Sequence, residues 1–285
     1  MTVVRAKTLG YCMGVKRAVE SAVKTLEENP QKEVYTLGPL IHNQKVLELL
    51  KEKGLKVLDA EKINISENSV VIIRAHGTTP SVVEKLTSLN VNVIDSTCPK
   101  VHLSQKRTSE YAERGYRIII AGDRNHGEVT SISSYAEDKM AGCVVVVQNA
   151  EEAKDVVLWE KNMLIAQTTF SPEEFSKVID VLKQRDTNIT VFNSICSATQ
   201  KRQNALKELK DKADAVLVIG GKNSANTRRL YEIALTICSN VALIEDEKEI
   251  PLDFYKFNTV ALTAGASTPL STVEAVEKAL LRFEN

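Results

Sequence analysis

Short apolar runs rich in Val, Ile, Leu and Ala recur along the chain, and each gives way to small polar residues before a longer stretch with helical spacing. The runs lie in EVYTLGPLIHN, SVVIIRAHGTTP, NVIDSTCPK, RIIIAGDRNHGE, NMLIAQTTFSP, ITVFNSICSAT, AVLVIGGKNSAN and TVALTAGASTP. They are continuous rather than alternating, the pattern of strands covered on both faces, as in parallel sheets with crossover helices. The stretches between them predict helices over 14–29, 43–53, 80–89, 99–114, 127–136, 172–185, 198–212, 224–239 and 271–283. Several open with Ser, Thr, Asn or Pro where a first turn needs a cap, as in SPEEF and STVEAVEKAL. The fold class is therefore α/β, with mainly parallel sheets.

Cysteine placement divides this pattern into three. Cys12, Cys98 and Cys196 each stand just past a β-like run and just before a basic helical one, in KTLGYCMGVKRAVE, VIDSTCPKVHLSQKR and VFNSICSATQKRQNAL. The common punctuation predicts three similar α/β lobes, 14–97, 98–193 and 194–285, with residues 1–13 returning to the third. A thiol near a helix start, beside Lys or Arg, is favoured as thiolate, the form that binds metal. Cys143, inside the strand-like AGCVVVVQ, and Cys238, after an apolar helical face, are expected in the core.

The bulk numbers narrow the function classes. The 285 residues, 43% hydrophobic, suffice for a large core, and 37 basic residues balance 37 acidic ones without a basic tail or stripe. Nucleic acid is therefore a poor partner. MTVVRAKTLGYCMG lacks the apolar centre of a secretion signal, and AGCVVVV at 141–147 is far too short to span a bilayer, so a cytosolic protein with no membrane association is expected. An odd number of cysteines, five, argues for reduced thiols over a disulfide framework.

Three isolated cysteines do not match the paired ligands usual for zinc, and H-E-x-x-H is absent. A [4Fe–4S] cluster held by three protein thiolates would leave one iron open to substrate. A zinc site and three unrelated thiols stay open as readings at this point. His42, His76 and His126 each follow a β-like run, in IHN, AHGTTP and NHGE, and can donate to an anion; His102, four residues past Cys98, reads as structural or solvent-facing. QTTFSP, GGKNSANTRRL and TAGASTP add hydroxyl, amide and backbone donors at helix starts, suited to phosphate or to capping alone. Neither G-x-x-x-x-G-K-[ST] nor G-x-G-x-x-G occurs, so no ATP or dinucleotide site is visible. Glu128, directly after the NHG turn, can act as a general acid if burial raises its pKa, or simply favour a helix start.

The ordered set GYCMGVKRA, GPLIHN, RAHG, DSTCPKV, NHGE, QTT, ICSATQKRQ, KNSANTRRL and TAGAS strongly resembles the 4-hydroxy-3-methylbut-2-enyl diphosphate reductase family over nearly the whole chain. The resemblance implies a three-lobed α/β fold around a central [4Fe–4S] cluster ligated by Cys12, Cys98 and Cys196. It implies reductive removal of an allylic hydroxyl to give isopentenyl and dimethylallyl diphosphates, the last step of the non-mevalonate isoprenoid pathway, with ferredoxin or flavodoxin as electron donor. Glu128 would relay protons and Thr168 would serve the hydroxyl side; His42, His76, His126, Ser224, Asn226 and Ser267 would surround the diphosphate. Family members often carry two serines before the binding asparagine, whereas this chain reads Asn223, Ser224, Ala225, Asn226, so Ala225 offers only its backbone N–H. A further C-terminal domain, fused in some members, is not expected. The competing readings are a three-cysteine iron–sulfur dehydratase or condensing enzyme of the quinolinate synthase type and a non-enzymatic metal-binding sensor; NHGE, QTT and SAN favour the reductase.

Overall fold

A computed structural model of the protein describes residues 1–60 and 62–282. In chain order the elements begin β1 (Thr2–Arg5), α1 (Met13–Glu28), β2 (Val34–Leu37), α2 (Gln44–Glu52), β3 (Leu55–Leu58), β4 (Val70–Ile73), α3 (Pro80–Ser88) and β5 (Asn92–Asp95). There follow α4 (Pro99–Glu113), β6 (Arg117–Ala121), α5 (Gly127–Glu137), β7 (Val144–Val147), α6 (Ala150–Lys154), β8 (Asn162–Ala166), α7 (Pro172–Arg185) and β9 (Thr190–Phe192). The chain continues with α8 (Ser197–Lys207), β10 (Ala215–Ile219), α9 (Ala225–Ile237), β11 (Val241–Ile244), β12 (Thr259–Ala264) and α10 (Leu270–Arg282). Position 283, the expected end of the last helix, lies outside the described residues.

Among the described residues the strands form three four-stranded sheets, each parallel throughout, in the orders β3-β2-β4-β5, β7-β6-β8-β9 and β11-β10-β12-β1. One rule generates all three. The chain enters on an inner strand, steps to one edge, returns to the other inner strand and finishes on the opposite edge. In the third sheet the finishing place is taken by β1, paired in register from Thr2 against Thr259 to Arg5 against Leu262. This is the expected return of the first strand to the last lobe.

The chain forms two compact units. One comprises Met1–Lys16, Ile41–Leu49 and Ser197–Asn285 and holds the β11-β10-β12-β1 sheet; the other comprises Arg17–Leu40 and Leu50–Cys196 and holds the remaining two sheets. Within the second unit α4 packs on α5. The Gln105 amide donates to Ser131 Oγ at 2.7 Å, Ser131 Oγ to the Thr78 carbonyl at 3.0 Å, and Thr108 Oγ1 to the Ile132 carbonyl at 3.2 Å.

Inner strands are mostly apolar, as in VVII, RIIIA and AVLVI, because each face meets a helical layer. On β6, Ile118 and Ile120 enter a cluster with Val129, Ile132 and Met163, while Ile119 and Ala121 enter another with Leu164, Phe170 and Phe175. Each such fully buried aliphatic side chain contributes about 1.5–3 kcal/mol relative to exposure. Helix entries follow the sequence signals. Thr79, Asn149, Ser171 and Ser224 cap α3, α6, α7 and α9, and Pro occupies the first turn of α3, α4 and α7.

Two strands, β3 and β11, were not read from the sequence, and both are edges. β3 keeps only Leu55 and Leu58 buried while Lys56 and Val57 face solvent, and β11 is half-exposed along most of its length. The short α6 was also unread. Helix α8 stops at Lys207 rather than near 212, because the Leu209, Lys210 and Lys212 amides bond three residues back and Asp211 adopts a left-handed φ of 61°.

Candidate active site

Each sheet reverses its winding between its two inner strands, and the loops leaving those strands open the crevice where α/β proteins bind ligands. The expected site residues all lie on or just past these loops. His42 follows β2 and His76 follows β4; His126 and Glu128 follow β6 and Thr168 follows β8; Ser224, Ala225 and Asn226 follow β10 and Ser267 follows β12. The three cysteines obey a second rule. Cys98, Cys196 and Cys12 come after β5, β9 and β1, the finishing strand of each sheet, and each directly precedes a helix.

In the second unit the decisive contact joins the β6 and β8 loops. The Thr168 N–H donates to Glu128 Oε1 at 2.6 Å and the Thr168 hydroxyl to Oε2 at 2.7 Å. Glu128 is only 2% exposed. Burial raises its carboxyl from the ordinary 4.5 to about 7; the two Thr168 bonds oppose that rise and nearby Asp123 adds to it. The Thr168 carbonyl in turn accepts the Cys196 N–H at 2.8 Å, so one residue connects the carboxyl to the cysteine loop.

His126 caps α5, its Nδ1 accepting the Glu128 N–H at 3.2 Å. That bond leaves the neutral ring's proton on Nε2, a donor. The His76 ring meets it edge to face, with centroids 5.2 Å apart and planes at 85°. Cys98 caps α4, and its N–H is held by the Ala75 carbonyl at 3.0 Å, beside His76. His102 sits further along α4 with its side chain 58% exposed, between Gln105 and Asp95, in the structural place expected of it.

The first unit presents the other expected residues. Ser224 caps α9, and Ala225 and Asn226 form that helix's first turn. Asn226 is 4% exposed, yet neither Oδ1 nor Nδ2 has a hydrogen-bond partner among the described residues. A buried amide left unsatisfied costs about 1–3 kcal/mol, which suits a group kept for a polar ligand. Ser267 donates its hydroxyl to the His42 carbonyl at 3.1 Å, and Asn43 Nδ2 donates to the Ser267 carbonyl at 3.0 Å while its Oδ1 caps α2 at Val46. The Cys12 N–H is held by the Ala266 carbonyl at 3.0 Å, and its Sγ accepts the Val15 N–H at 3.4 Å.

Asn43 and Arg202 were not anticipated. The buried Arg202 on α8 donates to the Gly10 carbonyl at 2.5 Å, fixing the loop before Cys12. Asn43 carried the signal of a helix cap; nothing in KRQ separates Arg202 from a solvent-facing base. None of the five cysteines, all among the described residues, is in a disulfide. Cys143 is buried in the core as expected, and burial pushes its thiol up to about 11. Cys238 differs from expectation: it is the C-cap of α9, where the backbone leaves the helix in an extended conformation, and is half-buried at the margin of the core.

Residues 3–281 match the family described as LytB protein. The chain belongs to the LytB family. Among LytB relatives, a 4-hydroxy-3-methylbut-2-enyl diphosphate reductase from Treponema denticola is 44% identical, with 99% of each chain covered. One of the same name from a Thermoanaerobacter species is 40% identical over 98% of this chain and 96% of its own. A solved structure of (E)-4-hydroxy-3-methyl-but-2-enyl diphosphate reductase, described as the terminal enzyme of the non-mevalonate pathway, is 35% identical with a TM-score of 0.74, covering 99% and 100% of the two chains. The Plasmodium falciparum E-1-hydroxy-2-methyl-but-2-enyl-4-diphosphate reductase is 26% identical with a TM-score of 0.89, covering 97% of this chain and 87% of its own.

Proposed function

We propose that this LytB chain reduces 4-hydroxy-3-methylbut-2-enyl diphosphate, breaking its allylic C–O bond with two electrons and two protons to give isopentenyl and dimethylallyl diphosphates and water. The Glu128 carboxyl carries the reading. Breaking that bond requires a proton on the departing oxygen, and a buried carboxyl raised to about 7 is protonated in a large fraction of molecules at neutral pH. The Thr168 hydroxyl holds one carboxyl oxygen and orients the acid; when Glu128 is protonated the same pair can reverse donor and acceptor roles, giving the proton a path through Thr168 Oγ1.

Cys12, Cys98 and Cys196 would hold a [4Fe–4S] cluster. The donor set fits: three thiols outside any disulfide, half-buried, each directly ahead of a helix. When bound, the cluster supplies the electrons and the Lewis acidity of an iron without a protein ligand. The electron donor in this reading is a ferredoxin or a flavodoxin.

The rest of the site binds the anionic tail. His42, His76 and His126 provide ring donors; Ser224, Asn226 and Ser267 provide hydroxyl and amide groups; Ala225 provides the N–H of a helix start. Asn226 supports this assignment most directly, since its buried amide has its donors unused. Binding energy from a diphosphate remote from the C–O bond orients that bond against the acid. The reading keeps three lobes near 14–97, 98–193 and 194–285 with 1–13, and a cytosolic location. No helix among the described residues is long and apolar enough to cross a membrane.

The test is anaerobic turnover of the hydroxylated diphosphate with a chemical reductant, alongside iron and sulfide analysis. Product formation with roughly four iron and four sulfide per chain is expected. An intact cluster without turnover refutes the assignment. Cys98→Ser is expected to lose the brown cluster absorption, and an unchanged spectrum would remove Cys98 from the ligand set.

A further inference from the structure

Arg74 is the first residue after β4, at the point where its sheet reverses winding. It stands two positions before His76. Its guanidinium is half-buried and makes no hydrogen bond or ion pair among the described residues. Its place is unusual on three counts. Burial draws its pKa down, with no carboxylate to offset the cost. The group lies against Gly127, the first residue of α5, so a cation sits at the positive end of a helix dipole, where anions are favoured. Two glycines also border it, Gly38 after β2, whose left-handed φ of 66° needs glycine in any case, and Gly127 at the start of α5. A Cβ built on Gly38 would fall 3.0 Å from Nη1, and one on Gly127 would fall 3.1 Å from Cζ and collide with Nη2.

A guanidinium held in this way, without an acceptor, is a fork of N–H donors kept for an anion. The neighbouring donors agree. His126 and the first N–H groups of α5 flank Gly127, and His76 follows on the same loop as Arg74. We propose that Arg74 binds the phosphate end of the substrate, as a cationic contact beside His76 and His126, with Gly127 leaving room for its guanidinium. This rests on the diphosphate substrate read above and adds a residue to its recognition. Arg74 touches the anionic tail rather than the reacting bond, so it governs affinity more than the rate of the bound complex.

The probe is inorganic pyrophosphate, titrated calorimetrically into anaerobic holoprotein, with substrate kinetics in parallel. Arg74→Met is expected to weaken pyrophosphate roughly 10- to 100-fold, the range of one charge-assisted contact, and to raise KM similarly with kcat within about threefold of wild type. Arg74→Lys should recover part of the loss. Gly127→Ala, which keeps the charge but displaces the guanidinium, should weaken binding in the wild-type background and have little effect in Arg74→Met. That cycle also decides the matter if Arg74→Lys folds poorly. Unchanged pyrophosphate affinity in Arg74→Met overturns the proposal, and so does a fall in kcat with KM preserved, which would make Arg74 a prop for α5. If wild-type protein neither binds pyrophosphate nor turns over substrate, the diphosphate reading itself fails; if wild type does both and Arg74→Met does too, only the Arg74 proposal falls.

Discussion

Glu128→Gln separates the catalytic use of the buried carboxyl from its structural cost. Gln is nearly isosteric; its Oε1 can still accept the Thr168 N–H, and the Thr168 hydroxyl can turn to accept from Nε2. In the wild type the folded protein holds the Glu128 proton up to about 7, whereas the unfolded chain releases it near 4.5. A raised acid contributes most to stability below the unfolded value, and the contribution is lost as pH climbs through the folded one. The interval from 4.5 to about 7 corresponds to roughly 3 kcal/mol lost over that range, with a plateau above it. Relative to wild type, the Gln variant should gain about 2 kcal/mol between pH 5.5 and pH 8, several degrees in Tm, while losing the 10²- to 10⁴-fold that a positioned general acid typically supplies. The assay is thermal or urea unfolding under argon across pH 5–9, with turnover at each pH. Parallel stability profiles would show that burial does not raise this carboxyl, and wild-type turnover would remove its proton role.

Thr168→Val removes a hydroxyl donor that stabilises the Glu128 carboxylate, so the pKa should rise further and the alkaline limb of the pH–rate profile should move to higher pH at reduced kcat; a limb that stays in place refutes the coupling. Asn226→Leu replaces an unsatisfied buried amide with an apolar group of similar volume. The variant is expected to melt at or above the wild-type Tm while KM for the diphosphate rises more than tenfold; a lower Tm with unchanged KM would make Asn226 a structural residue only.

Much of this architecture is written locally. Runs such as VVII, RIIIA and AVLVI mark strands covered on both sides, because they are β-branched, too short for a buried helix and bounded by small polar residues. The edges β3 and β11 escaped notice for the converse reason: LKVL and VALI leave positions open to water, so no long apolar run marks them. The cysteines illustrate the same division. Cys12, Cys98 and Cys196 were separable from Cys143 because small polar residues and a basic helix start surround them, whereas the half-exposure of Cys238 depends on where α9 ends against the rest of its sheet.

The order of residue types along the chain determined the fold class, the loops that carry chemistry and the motif set that marks the family, since each follows from local patterning and short spacing. Only the tertiary structure decided which groups confront one another. That Glu128 is sealed under Thr168, forty positions away, that the Asn226 amide is buried without a protein partner, and that the Arg74 guanidinium lodges between two glycines of different loops are consequences of strand order. A pKa, an unsatisfied amide and an unpaired cation are properties of surroundings, and those surroundings are assembled by parallel strands that meet only after the chain has left one and come back along another.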